Sequence, residues 1–199
     1  MPVEPDLTDS PAAPASPAPH AGSSQPTPVE YRRAIGAFAS GVTVVTGADA
    51  DGPVGFACQS FASVSLEPPM VLFCVGRKSR SWPRMRTSGR FCVNVLSEEQ
   101  DDVCARFGSS GGRKFEGLDW DMSPWGAPAL PGVLLRVHAQ THDVHGAGDH
   151  DVVIGRVLAV EQVTHQRPML FFRGEFGLDG DDAVWPDGAG LWGWGDRWQ

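Results

Sequence analysis

The hydrophobic pattern of the middle of the chain predicts β-strands joined by turns. The predicted strands cover residues 42–46, 54–65, 70–75, 91–96, 133–144, 152–163 and 169–172. Polar turns at 49–53 and 145–150 join the first strand to the second and the fifth to the sixth, so two hairpins are expected. Since these strands do not alternate with helices, the pattern favours a mainly β chain, a closed antiparallel barrel with short decorating helices, over a Rossmann fold.

Three short helices are expected around these strands. The first begins at Thr27-Pro28-Val29-Glu30, which has the residues of a capping box, and Tyr31, Ile35 and Phe38 then recur on one helical face before Gly41. A second is expected to end near Gly89. A third is predicted to open with a capping box at 97–100 and to run to about Phe107, with a loop at 108–112.

Composition divides the chain into three parts. Residues 1–26 are dominated by Pro, Ala, Ser and acidic side chains, which predicts a disordered arm, and residues 27–178 hold the predicted barrel. Residues 179–199 contain four of the seven Trp, five Asp and one Arg, without any helical or strand period. Two hypotheses stay open for this tail: a solvated segment, or Trp anchors that dock on the barrel or on a partner subunit.

Charge and cysteine content narrow the function classes. The net charge of −8, without a Lys/Arg stripe, argues against nucleic acid as a partner. The four Cys form no C-x-x-C pair, so reduced, buried thiols are expected. The first 28 residues lack the features of a signal peptide and no apolar run approaches a membrane span, which predicts a cytoplasmic protein with no membrane partner.

Three motifs in the sequence are interpreted as accidental. The G-x-G-x-x-G match at 188–193 has no strand before it and no room for a helix after it, and the G-x-S-x-G match at 108–112 follows a predicted helix rather than a strand. Four His lie at 138–150, but His138 and His142 on one strand would be about 13 Å apart, at ~3.3 Å per residue. We therefore expect no metal site.

The most informative stretch is 55–69, which reads GFACQSFASVSLEPP and is followed by a strand and by Lys78-Ser79-Arg80-Ser81. It resembles the flavin reductase domain family, the reductase components of two-component flavin-dependent monooxygenases, whose usual pattern is G-M-T-A-x-S-F-x-S-V-S-x-x-P-P. The resemblance covers roughly residues 31–178. Further blocks in the family's order lie at 31–33, 40–46, 91–96, 114–115, 148–150 and 154–157.

The resemblance implies a split β-barrel of the FMN-binding type that forms a homodimer, with the flavin bound near the dimer interface. It also implies NAD(P)H-dependent reduction of free FAD or FMN, and diffusion of the reduced flavin to a partner monooxygenase. The residues that would flank the flavin ring and ribityl chain are Phe56, Ala57, Cys58, Gln59, Ser60, Phe61, Ser63 and Val64. Those that would meet its phosphate are Lys78, Ser79, Arg80 and Ser81, with Arg113, Lys114 and Phe115 as secondary candidates.

The family's G-D-H motif corresponds to Gly148, Asp149 and His150, which places His150 beside the nicotinamide as the candidate catalytic residue. The alternative is that His150 only forms the hairpin turn. Where the family has Met and Thr this chain has Phe56 and Ala57, so one hydroxyl contact to the flavin is missing. Two other functions stay open: a tight FMN-binding oxidoreductase that acts on another substrate, and a non-catalytic flavin-binding protein. The sequence does not choose between FAD and FMN or between NADH and NADPH.

Overall fold

A seven-stranded antiparallel sheet dominates the computed structural model, which describes residues 25–176. Two small sheets, of three and two strands, accompany it. The helices are α1 (Pro28–Ile35), α2 (Ser81–Ser88) and α3 (Asp101–Gly108). The strands are β1 (Ser40–Gly41), β2 (Thr43–Asp49), β3 (Gly52–Cys58), β4 (Phe61–Leu66), β5 (Pro69–Gly76), β6 (Arg90–Val95), β7 (Asp121–Met122), β8 (Pro128–Ala129), β9 (Leu135–Ala147), β10 (His150–Gln162), β11 (Leu170–Phe172) and β12 (Glu175–Phe176).

The strand order of the large sheet explains how the barrel closes. In the order β3-β2-β6-β9-β10-β5-β4, the consecutive strands β3 and β4 lie at opposite edges. The chain crosses from one edge to the other at Gln59-Ser60, where the Cys74 amide donates to the Ser60 carbonyl at 3.1 Å. The predicted single strand at 54–65 is therefore wrong: it is two strands, because closure of the split barrel makes β4 pair with β5 rather than with β2.

Two hydrophobic clusters pack on the two faces of the sheet. Because successive strand residues point to opposite faces, Val45 contributes to one cluster and Val44 to the other. The first cluster centres on Phe73, whose ring lies 5.1 Å from Phe91 and 5.7 Å from Trp82 between centroids. The second lies under α3 and the three-stranded sheet.

The second predicted hairpin is confirmed, with longer strands than expected. β9 and β10 pair along their length, and the turn between them is only Gly148-Asp149. Gly148 has φ 64°, the left-handed conformation that tight hairpin turns require. The predicted turn at 145–150 was too wide because its outer residues have the polarity of a loop but belong to paired strands.

The helix boundaries differ from prediction at two places. The capping box at Thr27 is confirmed, but α1 ends at Ile35 with Gly36 as its C-cap, well before Gly41. α3 begins at Asp101, and only half of the box predicted at 97–100 forms: the Ser97 amide donates to Gln100 Oε1 at 3.1 Å, whereas the buried Ser97 Oγ has no partner among the described residues.

Other expectations concern parts of the chain that the structure leaves out. Residues 1–24 of the predicted arm and the whole of the predicted tail at 179–199 lie outside the described residues. Between residues 25 and 176, no helix has the length and apolar character needed to cross a bilayer. All four Cys are free thiols.

Candidate functional site

A cleft of about 180 Å³ lies between the beginning of α2 and the loop that follows α3. One wall is the segment Lys78–Ser81, which follows β5, and the other is the glycine-rich loop at 108–112. The lining is completed by Pro53, Val54, Gly55, Arg84, Lys114 and Phe115. The cleft thus joins three segments that are far apart in sequence.

Hydrogen bonds fix the first wall to the barrel. Ser79 Oγ accepts from the Trp82 amide at 3.2 Å and so satisfies one donor at the start of α2. Ser81 Oγ donates to the Gly55 carbonyl at 3.1 Å, which ties the helix to β3. The first turn of α2 contains no acidic residue, so the positive end of the helix faces the cleft without a local counter-charge from that turn.

Lys114 supplies a half-buried cation in the cleft. Its Nζ donates to the Phe107 carbonyl at 2.8 Å and to the Gly55 carbonyl at 3.4 Å. Burial, and secondarily the nearby charge of Arg80, lower the pKa of Lys114 to about 8. An anion in the cleft would favour the charged ammonium and reverse this shift.

The arginines of the cleft differ in how their charge is used. Arg84 forms a forked ion pair with Asp49, with Nε and Nη2 at 2.7 and 2.6 Å from the two carboxylate oxygens, and this pair lowers the pKa of Asp49. Arg80 instead donates to the Ser110 carbonyl and so bridges the two walls. Together with Lys78, Arg80 and Lys114 make the cleft suited to an anion such as a phosphate.

The motif at 55–64 begins at this cleft and leads to the barrel seam. Gly55 lies in the cleft, but the side chains of Phe56, Ala57 and Cys58 are buried, Phe56 and Cys58 in the first hydrophobic cluster and Ala57 in the second. Gln59–Val64 cross the seam and enter β4, where Ser63 and Val64 are exposed and Phe61 packs partly against the core. In this conformation the second half of the motif is the part that a ligand can reach.

The hairpin turn with His150 lies at the end of the strand that leads into the first wall. His150 pairs with Gly76, the last residue of β5, and the Arg77 amide donates to the Asp149 carbonyl at 3.0 Å. His150 Nδ1 lies 2.8 Å from Asp149 Oδ1, and this contact lowers the pKa of Asp149. The structure thus brings the predicted nicotinamide-side turn next to the predicted phosphate segment.

Of the three secondary candidates at 113–115, two line the cleft and one lies outside it. Lys114 and Phe115 line the cleft, and Phe115 packs edge-on against Phe107 at 5.1 Å between centroids. The Arg113 side chain is 85% exposed and pairs with Glu116 at 3.5 Å, outside the cleft lining.

Sequence reasoning missed the loop at 108–112 and Arg84. The loop was visible as a glycine-rich motif, and the available signal was its glycines and serines, which end two residues before Lys114 of a family block. Its role depends on α3 folding back beside β3, which the local pattern does not show. Arg84 was also missed: it lies on α2 and forms an ion pair with Asp49 at the end of β2.

The histidines of the second hairpin do not form a shared site. His138 is fully buried, with Nε2 3.1 Å from Glu161 Oε2 and its ring stacked on Trp125, whereas His145 is exposed and pairs with Asp143 at 3.1 Å. Within residues 25–176, no group of three His, Cys, Asp or Glu side chains is placed to hold a metal ion.

Comparison with known proteins finds similar chains among flavin reductases. The family model described as "Flavin reductase like domain" matches residues 35–177. The "Flavin-dependent monooxygenase, reductase subunit HsaB" of Rhodococcus jostii is 50% identical over 158 residues, covering 79% of this chain and 81% of that protein. The "FMN reductase (NADH) SmoA" of Agrobacterium fabrum is 42% identical over 149 residues, covering 74% of this chain and 83% of that protein.

A solved structure is similar over the same region. The NADH:FAD oxidoreductase SgcE6 of Streptomyces globisporus C-1027, in complex with NAD and FAD fragments, has a TM-score of 0.72 and 34% sequence identity. The superposition covers 78% of this chain and 94% of that chain.

Proposed function

The chain belongs to the flavin reductase like domain family, and on that premise we propose how its cleft serves the reaction. The activity is NAD(P)H-dependent reduction of FAD or FMN, and the reduced flavin is supplied to a separate flavin-dependent monooxygenase. Hydride passes from the nicotinamide to the flavin, so the chemistry belongs to the two cofactors and the protein has to hold and orient them.

The observation that carries this proposal is the cationic cleft at the start of the family motif. Lys78, Arg80 and Lys114 would hold the flavin phosphate, while Ser79 and Ser81 keep the start of α2 in place. Gln59 to Val64, on the far side of Gly55, would contact the ring and ribityl chain. The lowered pKa of Lys114 supports an anionic occupant, because a buried ammonium gains most from a nearby negative charge.

The G-D-H turn is assigned to the nicotinamide side. Gly148 and Asp149 shape the turn, and Asp149 orients the His150 ring through Nδ1. His150 Nε2 lies 3.9 Å from the position that a Cβ on Gly76 would occupy, so this nitrogen is directed toward the strand that leads to Lys78. We assign His150 to a contact with the dinucleotide rather than to proton transfer, since hydride transfer needs aligned rings.

We further propose that the protein is a homodimer. Apolar side chains are exposed on the edge strand β4, at Val64 and Leu66, and on β10, at Leu158 and Val160. A second copy would bury them, since isologous pairs are the commonest assembly.

Residues 27–178 are proposed as the reductase domain, flanked by an arm and a tail. A cytoplasmic location is supported by the free thiols.

Anaerobic NADH or NADPH oxidation with each free flavin tests this function. The rate is expected to saturate in added FAD or FMN, because the flavin is exchanged with solution. A rate independent of added flavin would mean a tightly held FMN and another acceptor, and flavin binding without any NAD(P)H oxidation would mean a non-catalytic binding protein. Light scattering tests the dimer: a monomer at assay concentration contradicts it.

A further inference from the structure

An apolar face of α1 is exposed on this protein. Tyr31 and Ile35 of α1, and Phe38 in the turn directly after it, are 57%, 54% and 78% exposed, and no residue of α1 is buried. We call these three side chains the α1 face. A two-turn helix is too short to be stable alone in water, since isolated helices shorter than about 12–15 residues are marginal. The capping box holds only its first turn, so the face requires a covering partner.

The end of the described chain lies beside this helix. The Arg173 amide donates to the carbonyl of Gly36, the C-cap of α1, at 2.9 Å. In the three-stranded sheet, Phe176 of β12 pairs with Phe171 of β11, which pairs with Ser40 of β1. Phe176, the last described residue, therefore lies two strand spacings, about 10 Å, from the strand that follows α1, and the segment 177–199 continues the chain from there.

This segment also has the reach to cover the helix. α1 is about 12 Å long, at 1.5 Å per residue. The nine residues from 177 to Trp185 can extend to about 30 Å, at roughly 3.3 Å per residue. Trp185 and the three Trp after it are therefore all within reach of the α1 face without strain.

The chemistry of the two surfaces matches. Residues 177–199 carry four Trp and five Asp with one Arg. The helix offers apolar side chains beside Arg32 and Arg33, and Arg173 lies at the C-cap contact. Each Trp can bury roughly 150–250 Å² and can stack on a guanidinium, and the carboxylates would meet cations at the helix end.

We propose that the α1 face is the docking surface for the chain's own segment 177–199. Trp side chains of the segment cover Tyr31, Ile35 and Phe38, while its Asp side chains lie near the arginines of α1. This docking gives the tail a structural role next to the G-D-H turn, because the charge of Arg32 acts on Asp149.

Hydrogen–deuterium exchange of the full-length chain tests the proposal. The first variant combines Trp185→Ser, Trp192→Ser, Trp194→Ser and Trp198→Ser, and the second is Phe38→Asp. Both are expected to raise amide exchange of residues 28–38 by about tenfold or more, without changing the exchange of β2 or β6. Met122→Asp, an exposed apolar residue of another sheet, is the matched control and is expected to leave residues 28–38 unchanged.

Two outcomes would overturn the docking. Unchanged exchange of residues 28–38 in the four-Trp variant would show that the tail does not cover α1. A second outcome is that Phe38→Asp loses the dimer, whereas the four-Trp variant stays dimeric and keeps slow amide exchange at residues 28–38. This result would show that a second copy of the chain covers the α1 face instead. Reductase rates of all variants are measured in parallel, so that a global loss of folding is recognised.

Discussion

The guanidinium of Arg80 lies close enough to the ammonium of Lys114 to lower its pKa, although burial is the larger cause. Both cations line the same cleft, and Arg80 also reaches the Ser110 carbonyl on the opposite wall. This concentrates positive charge at a site where both cations donate to backbone carbonyl oxygens. An anion bound between them would offset this charge, so we propose the pair as a determinant of flavin affinity.

The first prediction concerns pH. Lys114 has a pKa of about 8 in the flavin-free protein, and a bound phosphate would raise it. Below pH 8 the ammonium is already charged, so the affinity for FMN is expected not to change with pH. Above pH 8 binding must take up a proton, so the dissociation constant should rise by up to about tenfold per pH unit. Fluorescence titration of FMN from pH 7 to 9.5 measures this.

Riboflavin, which lacks the phosphate, is the control ligand for that titration. Its affinity is expected to show no such decline over the same pH range. Identical profiles for riboflavin and FMN would place Lys114 away from the phosphate.

The second prediction compares two adjacent cations. Lys114→Met is expected to weaken FMN binding by roughly 10–150-fold, the value of one charge-assisted hydrogen bond of about 1.5–3 kcal/mol, and to abolish the pH effect. Arg113→Met removes a charge that is exposed and paired with Glu116, so little change is expected. Equal losses in both variants would indicate a general electrostatic effect instead of a contact.

Local patterns predicted much of the fold and less of the site. The Thr27 capping box and both hairpins follow from residues that are neighbours in sequence. The break at Gln59-Ser60 could not be predicted, because the run at 54–65 contains no Pro and no cluster of turn residues, and the break results from closure of the barrel. The cleft was predicted in part: Lys78–Ser81, Lys114 and Phe115 came from the family resemblance. Arg84 lies on α2, one turn after Ser81, and was missed, whereas the loop at 108–112 joins the cleft only through long-range packing.

The third prediction concerns packing of the barrel. A Cβ on Gly155 would overlap the ring of Phe91, which is held edge-on against Phe73. Gly155→Ala is therefore expected to destabilise the protein by about 1–3 kcal/mol, lowering the melting temperature by about 2–4 °C per kcal/mol. Gly41→Ala is the control, because nothing lies within 4 Å of the added Cβ. The melting temperatures of both variants, measured by circular dichroism, test this prediction.

The fourth prediction concerns the arm. Removal of residues 1–25 is expected to leave the melting temperature and the reductase rate unchanged, because their composition offers few core contacts. The cap of α1 is retained, since Thr27 and Glu30 form it between themselves. A large decrease in either quantity would mean that the arm docks on the domain.

The last prediction tests the assignment of His150 against that of a turn residue. His150→Ala is expected to raise the Michaelis constant for NAD(P)H by roughly 5–150-fold, which corresponds to about 1–3 kcal/mol for one hydrogen bond to a polar or charged group. Flavin affinity should barely change, and the turnover number at saturating NAD(P)H should fall far less than kcat/KM.

His145→Ala is a close control, because His145 lies on the same hairpin and also pairs with a carboxylate, at 3.1 Å from Asp143. If His150 only supports the turn, the two variants will behave alike, or His150→Ala will bind NAD(P)H normally and lose flavin. A rise in the Michaelis constant confined to His150→Ala would separate dinucleotide contact from hairpin stability, since both variants remove an exposed imidazole from the same two strands.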